Sequence, residues 1–295
     1  MKITSLLIGF VARNVLGLSV AGLLGAVGMR WRLTKHEPAA LLKGALTVLS
    51  SFWILVLMVL FVNHIRFPLF LDLMEGTVFQ HFQRAASFQH IYPEPSPEYI
   101  PLAYNVFYYI VAVPFSWVFG ETLSTLRLIA ILATVGIGFL VFWILRRETG
   151  SRWWGLLGAG LFAASYFVMD SYLDTAHSDS SFVLCSIAGS ALIQYRRSRG
   201  IRLLGLGILI ASFWFKQHGA LFAIGGVLFL TWDEGWRRSW PYWLVAAAFG
   251  PAFYLGLGPP LFGSHFTYFT SPPTSHVSTM AITTASHGRS FVMRV

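Results

Sequence analysis

Charged residues are scarce in this chain: only 11% of its 295 residues are Asp, Glu, Lys or Arg, against roughly 25% in soluble domains. Because 56% of the residues are hydrophobic as well, the composition excludes an ordinary soluble domain. The single cysteine, Cys185, excludes an internal disulfide and is interpreted as a small packing residue. Neither a phosphate-binding glycine loop nor a dinucleotide fingerprint occurs, which argues against a soluble nucleotide substrate.

Long apolar runs are what the sequence has instead, and its mean hydropathy is +0.64. Several runs approach the ~20 residues that a helix needs to cross a bilayer. We therefore predict an all-α fold, a transmembrane helical bundle of about 7–8 spans with juxtamembrane helices on the outer face. The clearest candidate spans are residues 44–62, 126–145, 153–169, 181–195, 203–215, 220–232 and 243–261. Two further runs, 3–29 and 102–119, are ambiguous.

Most Lys and Arg residues lie in short clusters between the apolar runs, where they indicate membrane topology. The clusters are Arg30/Arg32/Lys35/Lys43, Arg146/Arg147/Arg152, Arg196/Arg197/Arg199/Arg202 and Arg237/Arg238. All four fall in the cytoplasm if 102–119 lies along the outer membrane surface, a position that suits its prolines and tyrosines. The loops that carry Asp72, Asp174 and Lys216 then all lie outside. The net charge of +9 thus reflects topology, and no nucleic-acid partner is expected.

These runs divide the chain into three parts. They are residues 1–43, an extra span or interfacial helix followed by a basic cytoplasmic loop; 44–262, the transmembrane module with an outer loop over 64–125; and 263–295, a polar tail. Spanning is favoured for 3–29, although Arg13 at mid-membrane would cost about 2.5–3.5 kcal/mol. The tail resembles a loop that leads into a further span, so we expect a truncated chain.

Polar side chains gather in the loops assigned to the outer face. Asp72 and Glu75 lie three residues apart; as an alternative to a functional role, they are solvated acids that cap the following helix. Asp170, Asp174 and His177 fall at i, i+4 and i+7, which predicts one shared helical face. That face suits a sugar, a cation or a salt bridge, although a plain polar loop explains it too.

Several short motifs follow one another along residues 44–235. They are Asp72-Leu-Met-Glu75-Gly76, Tyr92-Pro93, the stretch from Tyr99 to Tyr109, Phe119-Gly120, Leu126-Arg127-Leu128, the stretch from Tyr172 to Ser180, and Phe215-Lys216-Gln217. In this order they resemble the GT-C superfamily of membrane glycosyltransferases, above all its protein-mannosyltransferase-like and aminoarabinose-transferase-like branch. The resemblance implies an outer loop with juxtamembrane helices after the first core span, as the charge pattern predicts.

The resemblance implies an inverting glycosyltransferase that moves a sugar from a polyprenyl-phosphate donor to a lipid, glycan or protein acceptor. It places the enzyme in the plasma membrane, here a bacterial inner membrane, with a periplasmic or extracellular active face and membrane lipid around it. It implies Asp72 as catalytic base and Glu75 as its helper. No cofactor is required. The spacing of His64, His81 and His90 fits no zinc motif, but a divalent metal held by Glu75 and one of these histidines is an option.

Six further residues are expected to bind substrate. Lys216 and Arg127 would contact the lipid phosphate, with interface anchoring as the alternative for both. The other four, expected at the sugar or along the lipid groove, are Asp174, His177, Tyr104 and Tyr108. For the tyrosines an aromatic membrane belt is the commoner explanation.

The sequence also departs from the family pattern. The two acids are often adjacent in relatives, and His177 occupies a position where relatives tend to carry arginine. The chain is also short. These departures favour an alternative in another class, a non-catalytic GT-C-like subunit or scaffold with a partner in a membrane complex. A transporter is a second alternative, but it would place ionisable groups at mid-membrane, whereas here they lie at span ends.

Overall fold

A computed structural model describes residues 38–169 and 172–271, and in these ranges the chain is helical apart from turns and one isolated bridge between Ser96 and Tyr99. The helices are α1 (Pro38–His64), α2 (Leu73–Ala86), α3 (Phe107–Phe119), α4 (Leu123–Thr149), α5 (Arg152–Ala164), α6 (Asp179–Tyr195), α7 (Arg199–Phe215), α8 (Gly219–Glu234), α9 (Trp236–Ala247), α10 (Phe253–Gly256), α11 (Gly258–Phe262) and α12 (Phe266–Thr270). The expected all-α fold is confirmed for this part of the chain. The predicted N-terminal span 3–29, Asp170 and the tail beyond 271 lie outside the described residues.

Among the described residues, the helices long and apolar enough to cross a membrane are α1 and α4. Each has 27 residues, which corresponds to about 40 Å of helix. Every other predicted span within the described residues also contains a helix, but these helices have 17 residues or fewer, below the ~20 that a full crossing needs. The number of spans therefore stays a prediction.

The predicted span 243–261 is not one continuous helix, which corrects the sequence-based boundaries. After α9 the chain makes a π-type turn over Ala248–Ala252, where Gly250 has φ −95° and ψ −105°. Pro251 follows directly, and proline removes a backbone donor and clashes with the preceding turn. The run is therefore split between α9, α10 and α11.

Close helix packing depends on glycine at several contacts, including those of Gly160 and Gly189. A Cβ atom on Gly160 of α5 would lie 2.4 Å from Cβ of Ser50 in α1, and one on Gly189 of α6 would lie 2.7 Å from the carbonyl oxygen of Gly205 in α7. Both distances are impossible for a real side chain, so these glycines permit the backbones to approach. Such small-residue contacts are typical of helix association in membranes.

The basic helix ends lie together at one end of the bundle. Three contacts tie them to neighbouring helices: Lys43 over the ring of Trp153, Arg147 over the ring of Tyr195, and Arg202 in ion pairs with Asp233 and Glu234. They join the start of α1 to α5, the end of α4 to α6, and the start of α7 to the end of α8. The opposite end gathers the end of α1, all of α2, the starts of α4 and α6, and the end of α7.

Candidate functional site

A buried ion pair joins Glu75 of α2 to Arg127 of α4. It lies at the end of the bundle opposite the basic clusters. Both side chains are fully buried, and Arg127 donates from Nε to Glu75 Oε1 at 3.0 Å and from Nη2 to Oε2 at 2.6 Å. The backbone N–H groups of Leu71 and Ala176 donate to the same carboxylate at 2.7 and 2.8 Å. Burial raises the pKa of Glu75, but the hydrogen bonds from Arg127, Ala176 and Leu71 outweigh it and leave the pKa lowered.

The remaining donors of Arg127 brace the chain between α1 and α2. Its Nη1 donates to the carbonyl oxygens of His64 and Phe67 at 3.0 and 2.6 Å, and Nη2 also donates to that of Leu69 at 2.7 Å. All five N–H groups of the guanidinium are thus used inside the protein. Arg127 was expected to contact a lipid phosphate, but in this structure it offers no free donor, and its contacts indicate a structural role.

Asp72 is the acid of the predicted pair that reaches solvent. It occupies the N-cap position of α2 with an extended backbone, yet its side chain makes no capping hydrogen bond. Its Oδ2 instead accepts a hydrogen bond at 2.7 Å from Nε2 of His177. The Asp72 side chain is 29% exposed and that of His177 is 1% exposed. The buried imidazole therefore binds one oxygen of a carboxylate that is still accessible to solvent.

The segment that carries Asp174 and His177 is made of turns and bends between residues 172 and 178. The predicted shared helical face is therefore wrong, because these two side chains take different directions. Asp174 is fully buried and accepts from the Tyr166 hydroxyl at 3.0 Å, with Nδ1 of His64 at 2.7 Å. The contacts of Asp174 thus lie inside the protein, whereas His177 contacts Asp72. The substrate-binding role of Asp174 stays a prediction, and its buried side chain offers no accessible surface to support that role.

Lys216 pairs with Asp179, which follows His177 by two residues. The Lys216 ammonium is 2.5 Å from Oδ1 of Asp179 and 5.7 Å from the centre of the Tyr104 ring. Burial raises the pKa of Tyr104, and the negative charges of Asp179 and Asp72 raise it further. We call Asp72, His177, Tyr104, Asp179 and Lys216 the Asp72 site.

Tyr108 is not part of this surface. It is almost fully buried, it belongs to the main hydrophobic cluster, and its hydroxyl donates to the carbonyl oxygen of Leu126 at 2.8 Å. Tyr108 therefore ties α3 to α4. Its predicted contact with substrate has no support in this geometry.

His64, His81 and His90, the histidines considered as metal ligands, do not gather into a metal-binding cluster. Across residues 38–169 and 172–271, no group of three or more His, Cys, Asp or Glu residues is placed to hold a metal ion. Glu75 already accepts four hydrogen bonds, so it has no oxygen lone pair directed at a cation. The optional divalent metal stays a prediction from the sequence.

His81 is a buried structural residue whose tautomer is set by its neighbours. Its Nδ1 donates to the Thr77 carbonyl oxygen at 2.8 Å, and its Nε2 accepts from the Leu102 N–H at 2.9 Å. Burial lowers its pKa from 6.5 to about 4 despite the bond to Thr77. A proton on Nε2 would face the Leu102 donor and break the link between α2 and the 99–106 segment.

We expect the fold to lose stability as the pH falls from about 6.5 towards 4. The unfolded chain binds a proton at His81 before the folded chain does, so this contribution is complete above pH 6.5 and decreases below it. Thermal unfolding in detergent across this range measures the effect. His81→Leu should be less stable throughout but show a shallower slope; an unchanged slope would contradict the assignment.

Comparison with known proteins gives one match. A family model described as dolichyl-phosphate-mannose-protein mannosyltransferase matches residues 105–254, which are 150 of the 295 residues. The matched region includes Arg127, His177 and Lys216, whereas Asp72, Glu75 and Tyr104 precede it. Searches of curated proteins and of solved structures find no significant match.

Proposed function

Because the chain belongs to the dolichyl-phosphate-mannose-protein mannosyltransferase family, a member of the GT-C superfamily, we propose that it transfers a sugar from a polyprenyl-phosphate donor. The acceptor is a hydroxyl of a lipid, glycan or protein. The family is integral to membranes, which agrees with the two long apolar helices. The observation that carries the proposal is the Asp72 carboxylate, which is open to solvent on one side and held by His177 on the other.

The proposed reaction is a single displacement with inversion. The acceptor oxygen attacks C1 of the sugar, the bond from C1 to the phosphate oxygen breaks, and the electron pair leaves with the polyprenyl phosphate. The hydroxyl proton passes to Oδ1 of Asp72, the oxygen that has no hydrogen-bond partner among the described residues. A base positioned in this way contributes typically 10²–10⁴-fold in rate.

Lys216 is the proposed contact for the departing phosphate. Its ammonium is a mobile point charge, and its present partner, Asp179, is 31% exposed, so a phosphate oxygen can take the place of that carboxylate. Tyr104 lies under this ammonium, 5.7 Å from it to the ring centre, and its ring is the proposed surface for stacking on the sugar. The ion pair of Glu75 with Arg127 binds the backbone of the loop that precedes Asp72. Glu75 would therefore assist the proposed base by fixing the position of this backbone.

The scaffold alternative has one observation in its favour: both charged groups of the site are already paired, Asp72 with His177 and Lys216 with Asp179. A transfer assay distinguishes the enzyme from the scaffold. The full chain in lipid vesicles is supplied with a radiolabelled polyprenyl-phosphate sugar and extracted membrane acceptors. An enzyme releases polyprenyl phosphate and labels an acceptor in equal amounts. A folded chain that gives neither product supports the scaffold.

The proposed active face is the outer one, opposite the basic helix ends. Single cysteines at positions 72 and 197, in a Cys185→Ser background, should react with an impermeant maleimide from opposite sides of intact cells. Position 72 should be reached from outside, because Arg197 belongs to a basic cluster expected in the cytoplasm. Labelling of position 72 only after permeabilisation would contradict the proposed orientation.

A further inference from the structure

Two histidine–aspartate pairs are anchored in the same short segment, at residues 174 and 177. His64 Nδ1 lies 2.7 Å from Asp174 Oδ2, and His177 Nε2 lies 2.7 Å from Asp72 Oδ2. The pairs differ in which member faces solvent. In the first the carboxylate is fully buried and the imidazole is 26% exposed; in the second the imidazole is buried and the carboxylate is exposed.

A local hydrogen bond fixes the backbone of His177, and its imidazole is buried. The ring of Tyr172 packs against it edge to face, with the centroids 5.2 Å apart and the planes at 90°, and the His177 backbone N–H donates to the Thr175 carbonyl oxygen at 2.7 Å. The ring therefore has little freedom to follow a moving carboxylate. Instead, it sets the direction in which the Asp72 side chain points.

Protonation chemistry fixes the direction of the bond between them. An ionised carboxylate only accepts hydrogen bonds, so Nε2 of His177 carries the hydrogen. The hydrogen bond therefore runs from the imidazole to Oδ2 of Asp72, while Oδ1 has no hydrogen-bond partner among the described residues.

We propose that His177 is the positioning residue of the transfer reaction, which orients the Asp72 carboxylate towards the acceptor. This role rests on the proposed function. His177 itself is buried and touches neither sugar nor acceptor. Without its donor, Asp72 rotates freely, so its Oδ1 is directed at the acceptor hydroxyl in a smaller fraction of the molecules.

The separate effects on kcat and KM test this role. In His177→Leu, kcat should fall by about 10–10²-fold because the base is misoriented, with KM for the donor little changed. His177→Gln, whose amide reaches as far as Nε2, should restore part of kcat. The matched control is His64→Leu, which removes the partner of the buried Asp174 and should leave kcat, normalised to folded protein, close to wild type.

The outcomes separate this role from the proposed function. If the wild-type chain transfers sugar but kcat of folded His177→Leu stays close to wild type, or falls no more than that of His64→Leu, His177 is only structural and the inference is overturned. If His177→Leu does not fold, His177→Asn, whose shorter amide does not reach Asp72, replaces it under the same criterion. A folded wild-type chain without transfer would overturn the proposed function and this role with it.

Discussion

Replacing Asp72 with asparagine is expected to reduce the rate of sugar transfer by about 10²–10⁴-fold. Asparagine keeps an oxygen that accepts the bond from His177, but it does not take the proton of the acceptor hydroxyl. Because Asp72 makes no capping bond to α2, the thermal midpoint should stay near the wild-type value. Initial rates in lipid vesicles at saturating donor, normalised to folded protein, measure the effect.

A matched control exists on the same end of the bundle. Glu121 is an exposed acid in the turn between α3 and α4, and Glu121→Gln removes one negative charge as Asp72→Asn does. The rate of this control should stay close to wild type. Equal losses in the two variants would indicate a general charge effect, and they would contradict the role of Asp72 as a base.

Replacing Arg127 with methionine is expected to lower the free energy of unfolding by about 3–5 kcal/mol, because it leaves Glu75 charged, buried and unpaired. It also leaves the carbonyl oxygens of the 64–69 segment without their donors. The second substitution Glu75→Leu in the same chain should recover part of the loss, since no buried charge remains. Unfolding in detergent by heat or denaturant gives these values.

The control for this prediction is another arginine in an ion pair. Arg197 binds Asp233 at the basic end of the bundle, but its side chain is 75% exposed, and such surface pairs contribute about 0–1 kcal/mol. Arg197→Met should therefore be nearly neutral. Similar losses for the two arginines would show that the Glu75–Arg127 pair has no special weight in the fold.

The apolar runs and the basic clusters carried most of what could be predicted about the fold. A run of apolar residues flanked by Lys and Arg is a local signal, so α1 and α4 were located to within a few residues. The meeting of the basic helix ends also follows from the order of the runs. The break at Gly250–Pro251 could have been predicted as well, because proline inside an apolar run interrupts a helix.

The pairing of charges could not be read from the sequence, because it depends on tertiary contacts. Glu75 and Arg127 are 52 residues apart, and an arginine at the start of a span looks like an interface anchor. Residue spacing also suggested a helix around Asp174, where the chain makes turns instead. Asp72 was predicted as the base from the family resemblance. The structure adds that its carboxylate is accessible to solvent.

Asp179 is the member of the Asp72 site that sequence reasoning missed. Asp179 does not share the i, i+4 and i+7 spacing of Asp170, Asp174 and His177, so this pattern does not select it. A signal for it was present, since an acid in the first turn of a helix is favoured by the helix dipole, and Lys216 ends α7 at the same face. Two opposite charges at neighbouring helix ends predict a pair once the topology is known.

Single-turnover transfer tests the role of Asp72 most directly, because it separates the chemical step from donor binding and product release. The purified full chain is loaded with the labelled donor, mixed with acceptor, and followed until one sugar has moved. We predict that Asp72→Asn binds the donor as wild type does and transfers it at least about 10²-fold more slowly. A wild-type transfer rate in this variant would contradict the assignment of Asp72 as the base.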